Sequence, residues 1–350
     1  MSLTVLNVAY SLATLGPAAV GGAEQVLQTI DRALVAAGAT SITVACAGSS
    51  VAGLHVQTPA IDPPFDELAQ ARARRAHADA IARTIDRHRV DIAHLHGVDF
   101  ADYLPEPGVP VVATLHLPPA WYSTAALAPR RPRTFLNCVS RAQRNACPPS
   151  AMIAATIENG VAVPESPARS RAPRFALAMG RICPEKGFHH ALDAAKRAHV
   201  PFVLAGCCFP YAAHQQYFER DIVPRLDRSR RFVGPVGPEE KLALLSSARC
   251  VLIPSLVPET SSLVAMEAMA AGVPVIAFPN GALSEIVQHG VTGFLVNDAA
   301  EMADAISAVD TLRSDACHEA ARTRFDASRM ARDYMCLYEQ ILKDEDRREA

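Results

Sequence analysis

The chain lacks the surplus of basic residues that marks many nucleic-acid-binding proteins. Its 350 residues include 34 lysines and arginines against 36 aspartates and glutamates, a formal net charge of −2. Without a basic field over the whole chain, we do not expect a nucleic-acid partner. Hydrophobic residues make up 50% of the chain, which is enough for a large packed core, and the length suits two domains.

Long apolar runs are also missing, because Glu, Gly and Pro interrupt every apolar stretch before it could span a bilayer. The first basic residue is Arg32, so the first 22 residues have no basic segment of the kind that opens a secretory signal. The basic segment 70–89 reads as a helix whose apolar face is mostly alanine, which favours a solvated helix over membrane insertion. We therefore predict a cytoplasmic protein with at most peripheral membrane contact.

The cysteines follow no recognisable pattern. There are nine of them, an odd number, and no CxxC occurs. This distribution favours a reducing compartment and argues against a structural zinc site. Three histidines at predicted strand ends, His94, His96 and His116, could imitate a metal-binding set, but no Glu or Cys completes it. We therefore predict neither a metal ion nor a cofactor.

Short β-branched runs alternate with alanine-rich helical runs along the chain, the pattern of a parallel α/β fold. A segment rich in Pro, Ser and Arg, 161–174, separates two such series and is interpreted as an interdomain linker. Two doubly wound domains would bind ligands at the carboxyl ends of their strands. The predicted strands are 3–10, 41–47, 91–96, 111–116 and 135–140 in the first series, and 175–180, 201–206, 231–236, 250–255, 274–278 and 293–296 in the second.

Two acids, Glu259 and Glu267, interrupt the otherwise apolar segment "PSLVPETSSLVAMEAMAAGVPVIAF" (254–278). The first lies in the loop before a predicted helix and the second about two turns inside it, which separates them by roughly 12 Å along the axis. Between them lie the free N–H groups of the first helical turn, where an anion can bind. This spacing suits a ligand with hydroxyls at both ends and a diphosphate between them, such as a nucleotide sugar. The simpler alternative is that Glu259 favours the helix dipole while Glu267 faces solvent.

The segment "MGRICPEKGF" (179–188) follows the first strand of the second series and carries two cations. Arg181 and Lys186 would lie at the carboxyl end of that strand. An arginine fork and a lysine point charge, together with a helix N-terminus, can hold a departing diphosphate without metal. Each cation alone would more often be a plain surface residue, but together with the two acids they favour a functional site.

Two features of the first domain also point to a ligand. The loop "GPAAVGGAEQVL" (16–27) contains Gly21 and Gly22, which permit close backbone approach to a phosphate at a helix start. It matches neither a P-loop nor GxGxxG, and a plain flexible loop is the alternative. His116 ends the strand "VVATLH", where a polar side chain can reach a ligand, whereas His94 and His96 are either acceptor-side or structural groups.

This ordered set of motifs resembles the retaining glycosyltransferases of family 4, over nearly the whole chain and most strongly from 175 to 300. Glu259 and Glu267 match the family's E-x7-E motif, "GRICPEKG" matches G-R-x-x-x-x-K-G, and "GGAE" matches its first glycine-rich loop. "ENGV" (158–161) and "NGALSEIVQHGVTGFLV" (280–296) match further family segments. The chain departs from the family at "ETSSLV", where Phe-Gly is common, which puts the usual sugar contacts in doubt.

The resemblance implies the GT-B fold: two Rossmann-like, doubly wound α/β domains facing a cleft. We expect an acceptor-side domain over 1–165, a nucleotide-sugar domain over 166–327, and a final helix, 328–350, that packs back on the first domain. The implied activity is a retaining, metal-independent transfer of a hexose from a nucleoside diphosphate sugar, UDP-linked, to an acceptor hydroxyl, in cell-surface glycan or secondary-metabolite synthesis.

The resemblance also implies roles for individual residues. Glu259 and His116 would be the catalytic residues, in contact with the transferred sugar, and Glu267 would bind the ribose. The remaining donor-binding residues implied by the family motifs are Gly21, Gly22, Arg181, Lys186, Gly234, Thr260, Ser261, Ser262 and Leu263.

Three other functions compete with this interpretation. A nucleotide-sugar epimerase of the same architecture would turn over the donor without an acceptor. A non-catalytic sugar-nucleotide-binding protein would keep the site without the reaction. An NAD-dependent oxidoreductase is disfavoured because GxGxxG and its downstream acid are missing.

Overall fold

The structure is a computed structural model that describes residues 3–17, 19, 21–61, 65–167 and 174–349, with side chains described as far as Lys343. The chain divides into two compact units. Unit 1 comprises Met1–Asn159 and Ala327–Ala350, and unit 2 comprises Gly160–Asp326. Residues 168–173 of the predicted linker lie outside the described residues. The start of that segment is part of unit 2, where Val161 is buried and its N–H donates to the Phe325 carbonyl (2.8 Å).

Among its described residues, unit 1 contains a seven-stranded parallel sheet in the order β3-β2-β1-β4-β5-β6-β7. The strands are β1 (Thr4–Val8), β2 (Thr40–Cys46), β3 (Leu54–Thr58), β4 (Ile92–Leu95), β5 (Val111–Leu115), β6 (Thr134–Cys138) and β7 (Ile153–Thr156). The α-helices between them are α1 (Gly22–Ala36), α2 (Glu67–Arg87), α3 (Thr124–Leu127) and α4 (Arg141–Ala146), with short 3₁₀ helices at Phe100–Tyr103 and Pro119–Trp121.

Unit 2 contains, in the part the structure describes, a six-stranded parallel sheet in the order β10-β9-β8-β11-β12-β13. Its strands are β8 (Phe175–Met179), β9 (Phe202–Ala205), β10 (Arg230–Gly234), β11 (Ala248–Ile253), β12 (Val275–Ala277) and β13 (Gly293–Leu295). Its α-helices are α5 (Phe188–Arg197), α6 (Ala212–Tyr217), α7 (Pro238–Ser247), α8 (Leu263–Ala270), α9 (Leu283–Ile286), α10 (Ala299–Ala308) and α11 (Ser314–Arg324). Shorter helical turns are Pro184–Lys186, Phe218–Ile222, Val223–Arg225 and Val309–Thr311.

The last helix, α12 (Ala327–Glu349), belongs to unit 1, where it contacts α1. Two buried tyrosines on its inner face bond to the sheet: the Tyr338 hydroxyl meets His94 Nδ1 (2.7 Å), and the Tyr334 hydroxyl accepts from Asn137 (3.0 Å). These bonds hold the helix against β4 and β6. No helix in the described part of the chain is long and apolar enough to cross a membrane.

The strand order reverses once in each sheet, and these reversals determine where ligands can bind. In unit 1 the reversal lies between β1 and β4, and in unit 2 between β8 and β11. At such a switch point the connections leave the two strands in opposite directions and open a crevice at their carboxyl ends. In unit 2 the segments that follow β8 and β11 are the two motifs singled out from the sequence, "GRICPEKG" and the E-x7-E segment.

Candidate active site

Two loops meet at the switch point of unit 2. The Leu256 N–H, in the loop after β11, donates to the Glu185 carbonyl in the loop after β8 (2.8 Å). Gly187 has a φ of +61° and lies against the Pro254 carbonyl, so a side chain there would be both strained and obstructed. Gly187, the second glycine of the G-R-x-x-x-x-K-G motif, therefore allows these two loops to lie close together.

Contact between the loops brings Glu259 and Lys186 together. The Lys186 ammonium lies 2.5 Å from Glu259 Oε1, and the Ser255 hydroxyl donates to the same carboxylate oxygen. The Glu259 side chain is 12% exposed and the Lys186 side chain 29%, so the pair is partly desolvated and still open to a ligand. The sequence motifs indicated the acid and the lysine but not Ser255, which no motif marks.

The backbone of Glu259 is held by the loop after β12. Its N–H donates to the Asn280 carbonyl (3.3 Å), and its carbonyl accepts from the Ala282 N–H (2.8 Å). Gly281 between them has a φ of +62°, and a Cβ at that position would meet the Glu259 backbone. The "NGA" segment at 280–282 thus positions the first acid of the E-x7-E motif.

The second acid, Glu267, also has a lysine partner. It lies on α8, and the Lys241 ammonium on α7 is 2.5 Å from its Oε1. The Glu267 side chain is 18% exposed, so the alternative in which it simply faces solvent does not describe this structure. Lys241 lies in "PEEKLALL", outside every motif considered, and its partner emerges only from the packing of α7 beside α8.

Between the two ion pairs lies the start of α8. Ser262 is its N-cap, with the hydroxyl accepting from the Ala265 N–H (3.4 Å). Among the described residues, the buried Ser261 hydroxyl oxygen has no hydrogen-bond partner. The first N–H groups of a helix have no intrahelical acceptor, so hydrogen-bonding capacity and the positive end of the helix dipole are concentrated between two carboxylates.

Two further predicted donor residues lie at other strand ends of unit 2. Arg181, two residues after β8, is exposed. Gly234 ends β10 with a φ of +78°, and its carbonyl accepts from the Gly206 N–H (2.8 Å).

In unit 1, His116 directly follows β5 and is 9% exposed. Its Nε2 lies 3.0 Å from His96 Nδ1, and its backbone N–H donates to the Tyr122 hydroxyl (2.9 Å). Burial lowers the pKa of His116 to about 4 and the pKa of His96 well below its usual value. Both rings are therefore neutral at pH 7, and the sequence did not indicate that they are paired.

His94, by contrast, is a structural group. Its Nε2 contacts the Thr114 hydroxyl (2.8 Å) and its Nδ1 the Tyr338 hydroxyl (2.7 Å), so both ring nitrogens are engaged in the core. Burial, with a smaller contribution from the charge of His116, lowers its pKa to about 3. Of the two possibilities left open for this residue, the contacts favour the structural one.

The glycine-rich loop of unit 1 leads into α1, which begins at Gly22 with Gly21 as its N-cap. Ala18 and Val20 of this loop lie outside the described residues. The Glu24 carboxylate folds back beside Gly21, and burial raises the pKa of this group. The helix start that was expected to receive a phosphate therefore already has a carboxylate next to it.

Comparison with known families matches both halves of the chain. The model described as Glycosyltransferase Family 4 matches residues 20–169, and the model described as Glycosyl transferases group 1 matches residues 173–310. The chain belongs to glycosyltransferase family 4. The sequence-based assignment to this family is thereby confirmed.

Curated relatives resemble this glycosyltransferase over part of its length. It is 32% identical over 184 residues to the glycogen synthase of Mycobacterium tuberculosis, covering 51% of this chain and 44% of that protein. It is 33% identical over 129 residues to the lipopolysaccharide 1,2-N-acetylglucosaminetransferase of Salmonella typhimurium, covering 34% and 33%. The aligned part thus spans less than half the length of these relatives.

Solved structures resemble the glycosyltransferase over nearly its whole length. AviGT4, a glycosyltransferase involved in avilamycin A biosynthesis, is 24% identical with a TM-score of 0.71, covering 97% of this chain and 98% of AviGT4. Anabaena Alr3699/HepE, solved in complex with UDP and glucose, is 20% identical with a TM-score of 0.72, covering 96% and 99%. The predicted α/β class with two doubly wound parallel sheets, the GT-B fold, is confirmed.

Proposed function

We propose that this glycosyltransferase moves a hexose from a nucleoside diphosphate sugar, UDP-linked, to an acceptor hydroxyl with retention of configuration and without a metal ion. The observation that carries the proposal is the arrangement at the unit 2 switch point. Two carboxylates, each paired with a lysine 2.5 Å away, flank the start of one helix. Hydroxyl-binding acids on either side of an anion-binding helix start match the order sugar, diphosphate, ribose along such a donor.

In this proposal Glu259 accepts hydrogen bonds from the transferred sugar and Glu267 accepts them from the ribose. Arg181, Lys186 and the helix start at Thr260–Leu263 hold the diphosphate, and the Gly234 backbone approaches the base. Lys186 is already beside Glu259, so it can bridge the acid and the nearest phosphate without a large movement. Preorganised cations of this kind stabilise charge as it builds on a departing diphosphate.

The family motifs give residues of unit 1 their own proposed roles. His116 would contact the transferred sugar as an uncharged hydrogen-bonding ring, because its pKa lies at about 4. Its bond to His96 restricts which ring nitrogen carries the proton. Gly21 and Gly22 bring backbone close to the donor. No step therefore requires an imidazolium, and the oxocarbenium-like transition state is stabilised by the carboxylate of Glu259 and the departing phosphate.

The choice of sugar and base is supported by relatives. HepE has been solved with UDP-glucose and with UDP and glucose. The curated relatives include a glycogen synthase and a lipopolysaccharide 1,2-N-acetylglucosaminetransferase, which supports a hexose as the transferred sugar. AviGT4 acts in avilamycin A biosynthesis and the Salmonella relative acts on lipopolysaccharide. These supply the two proposed settings, secondary-metabolite and cell-surface glycan synthesis.

The test is thermal unfolding with UDP, GDP, ADP or NAD, on the wild type and on Glu267→Ala. A nucleotide at about a hundred times its dissociation constant should add roughly 2.7 kcal/mol of stability. We expect UDP to stabilise the wild type and Glu267→Ala to lose the response. Glu240→Ala, which removes an exposed acid next to Lys241 on α7, should keep it. A shift with NAD alone, or an undiminished response in Glu267→Ala, would overturn the proposed donor site.

A donor-only incubation separates transfer from the epimerase alternative. If the chain interconverts UDP-sugars in the absence of an acceptor, it is an epimerase on this architecture. If it binds UDP but never transfers a sugar in an acceptor screen, it is a sugar-nucleotide-binding protein.

A further inference from the structure

Three potential metal ligands come together beside the unit 2 switch point. Cys183 and Glu185 lie in the loop after β8, and His214 lies on α6, which follows β9. Their ligand atoms, the thiol sulfur, a carboxylate oxygen and a ring nitrogen, all lie within 4.8 Å of one another. No motif joins these residues in the sequence, because the histidine is contributed by a separate element, α6.

The two loops are fixed to each other. The Ile182 N–H donates to the Cys207 carbonyl (2.9 Å), which joins the loop after β8 to the loop after β9. The Tyr217 hydroxyl at the end of α6 accepts from the His189 N–H (3.2 Å) on α5. These bonds anchor the segments that carry Cys183 and His214, so the packing of unit 2 brings these two residues together.

We propose that Cys183, Glu185 and His214 form a binding site for a borderline-soft divalent cation, with Zn²⁺ as the expected ion. Thiolate, imidazole and carboxylate are the three ligand types that zinc uses, and three protein ligands leave a fourth position for water. Hard cations such as Mg²⁺ prefer all-oxygen sites. This site departs from the expectation, drawn from the scattered cysteines, that the chain holds no zinc.

The geometry is close to that of a bound site. Zn–S distances of about 2.3 Å and Zn–N distances of about 2.0 Å place the ligand atoms of a tetrahedral site about 3.5 Å apart. Movements of about 1 Å would therefore close the cluster on an ion. Glu185 is exposed and its side chain is hydrogen-bonded to that of Cys183, which is buried at 2% exposure.

His214 has unused bonding capacity. Within the described part of the chain, its buried Nδ1 has no hydrogen-bond partner. Buried polar atoms are rarely left without a partner, and an ion or water commonly accounts for the exceptions. Burial raises the pKa of the Cys183 thiol to about 11, so binding would transfer its proton to solvent as the Zn–S bond forms.

One charge opposes the site. Arg181 lies close enough to affect the pKa of all three groups, and it would repel a cation. The thiolate and the carboxylate together carry two negative charges that balance a divalent ion. Because the Arg181 side chain is exposed, it can also turn towards solvent. The ion would bind beside the donor loop, not at the reacting atoms, so the inference does not depend on the proposed sugar transfer.

The test is Co²⁺ titration of the chelator-treated, reduced full chain, followed by visible and near-ultraviolet absorption. We expect one equivalent of Co²⁺ to give a thiolate charge-transfer band, which Zn²⁺ removes and Mg²⁺ does not. Loss of an outer-shell partner already costs about 10–100-fold in metal affinity. Cys183→Ser and His214→Gln should therefore each weaken binding by at least about 100-fold.

Matched controls are Cys336→Ser and His88→Gln, which replace an exposed cysteine and an exposed histidine of unit 1. Both should bind Co²⁺ as the wild type does. Unchanged circular dichroism of the metal-free variants would show that the chain remains folded, and Glu185→Gln provides a third variant at an exposed position. Absence of a sulfur-to-cobalt band, or equal losses in the controls, would overturn the proposal whether or not UDP binds.

Discussion

The two switch points of this glycosyltransferase provide different chemistry on the same topology. In unit 2 the charged side chains are paired and partly exposed: Glu259 with Lys186 in the loops after β11 and β8, and Glu267 on α8 with Lys241 on α7. In unit 1 the strand ends carry His96 and His116, which are buried and neutral at pH 7. The start of α1 has an acid beside it, whereas the start of α8 has hydroxyls.

The difference indicates that the two units suit different parts of a ligand: charged groups in unit 2 and neutral groups in unit 1. A diphosphate is bound by cations and free N–H groups. Partial exposure of the charged side chains lowers their desolvation penalty while no ligand is bound. Uncharged hydroxyls of a sugar or an acceptor need neutral hydrogen-bonding groups, which can be buried at lower cost. Substitutions in the two units should therefore differ in both the kind and the size of their effects.

The largest effect is expected for Lys186→Met. The change removes the cation beside Glu259 and leaves its carboxylate facing the diphosphate, so we expect kcat/KM for transfer to fall by about 10²–10³-fold. The matching change in unit 1, His116→Phe, removes a neutral hydrogen-bonding group and should cost about tenfold. Steady-state kinetics with UDP-sugar donors measures the loss in each variant.

Lys196→Met, at an exposed lysine on α5, should change neither kcat nor KM. Equal losses at Lys186 and His116 would contradict the contrast between the units.

The next effect concerns stability in unit 1. His94→Ala leaves the Tyr338 and Thr114 hydroxyls without their partner and opens a cavity, so we expect a loss of about 2–4 kcal/mol in the free energy of unfolding. Denaturant titration measures the loss, with the exposed His88→Ala as control. Because the change lies in unit 1, stabilisation by UDP should persist. A variant with wild-type stability but no UDP response would assign His94 to the ligand site instead.

The sequence predicted most of the architecture, for reasons visible in particular elements. In α1 (Gly22–Ala36), apolar residues at helical spacing, Val26, Leu27, Ile30 and Leu34, form a buried stripe, and Gly38 just beyond the helix adopts a φ of +78°. β3 and β7 were missed. Both are edge strands of the unit 1 sheet, and their partly exposed sequences, "LHVQT" and "IAAT", lack the continuous apolar run of a central strand.

The candidate site was predictable where a local motif carries it and not where packing does. Glu259, Glu267, Arg181 and Lys186 lie in recognisable segments. Ser255, Lys241 and the His96–His116 pair depend on which loops and helices come to lie side by side, and spacing along one segment holds no such information. The sequence shows Glu24 three residues after Gly21, but it does not show that the Glu24 side chain folds back beside Gly21 and is buried.

A graded effect should follow acidification. The pKa of His77, a buried residue of α2, and that of His116 are lowered from 6.5 to about 4 by burial, so between these pH values the unfolded chain binds protons that folded unit 1 does not. The stability of unit 1 is fully present above pH 6.5. It falls as the pH drops towards 4, by about 1.4 kcal/mol per pH unit for each such histidine.

Hydrogen exchange, corrected for the intrinsic pH dependence of the rates, should show peptides of unit 1 losing protection in acid before peptides of unit 2. His77→Phe removes one of these titrations and should flatten the response of unit 1. Parallel loss in both units would show that the buried histidines do not distinguish them.

The smallest expected effect lies at the start of α1. Glu24 places a carboxylate where the helix dipole favours an anion, and burial raises the pKa of this group. Removing its charge in Glu24→Gln leaves the helix start available to a phosphate. If this loop contacts the donor, UDP-sugar affinity should rise by about two- to fivefold, the equivalent of 0.3–1 kcal/mol for a charge at a helix terminus. Glu67→Gln, in the first turn of α2 and exposed, is the matched control and should leave affinity unchanged.

Because the gain in affinity of Glu24→Gln depends on charge at one helix end, it should shrink as salt is added. An unchanged affinity in Glu24→Gln would mean that the glycine-rich loop of unit 1 serves the fold alone and that the diphosphate is bound by unit 2 without its help.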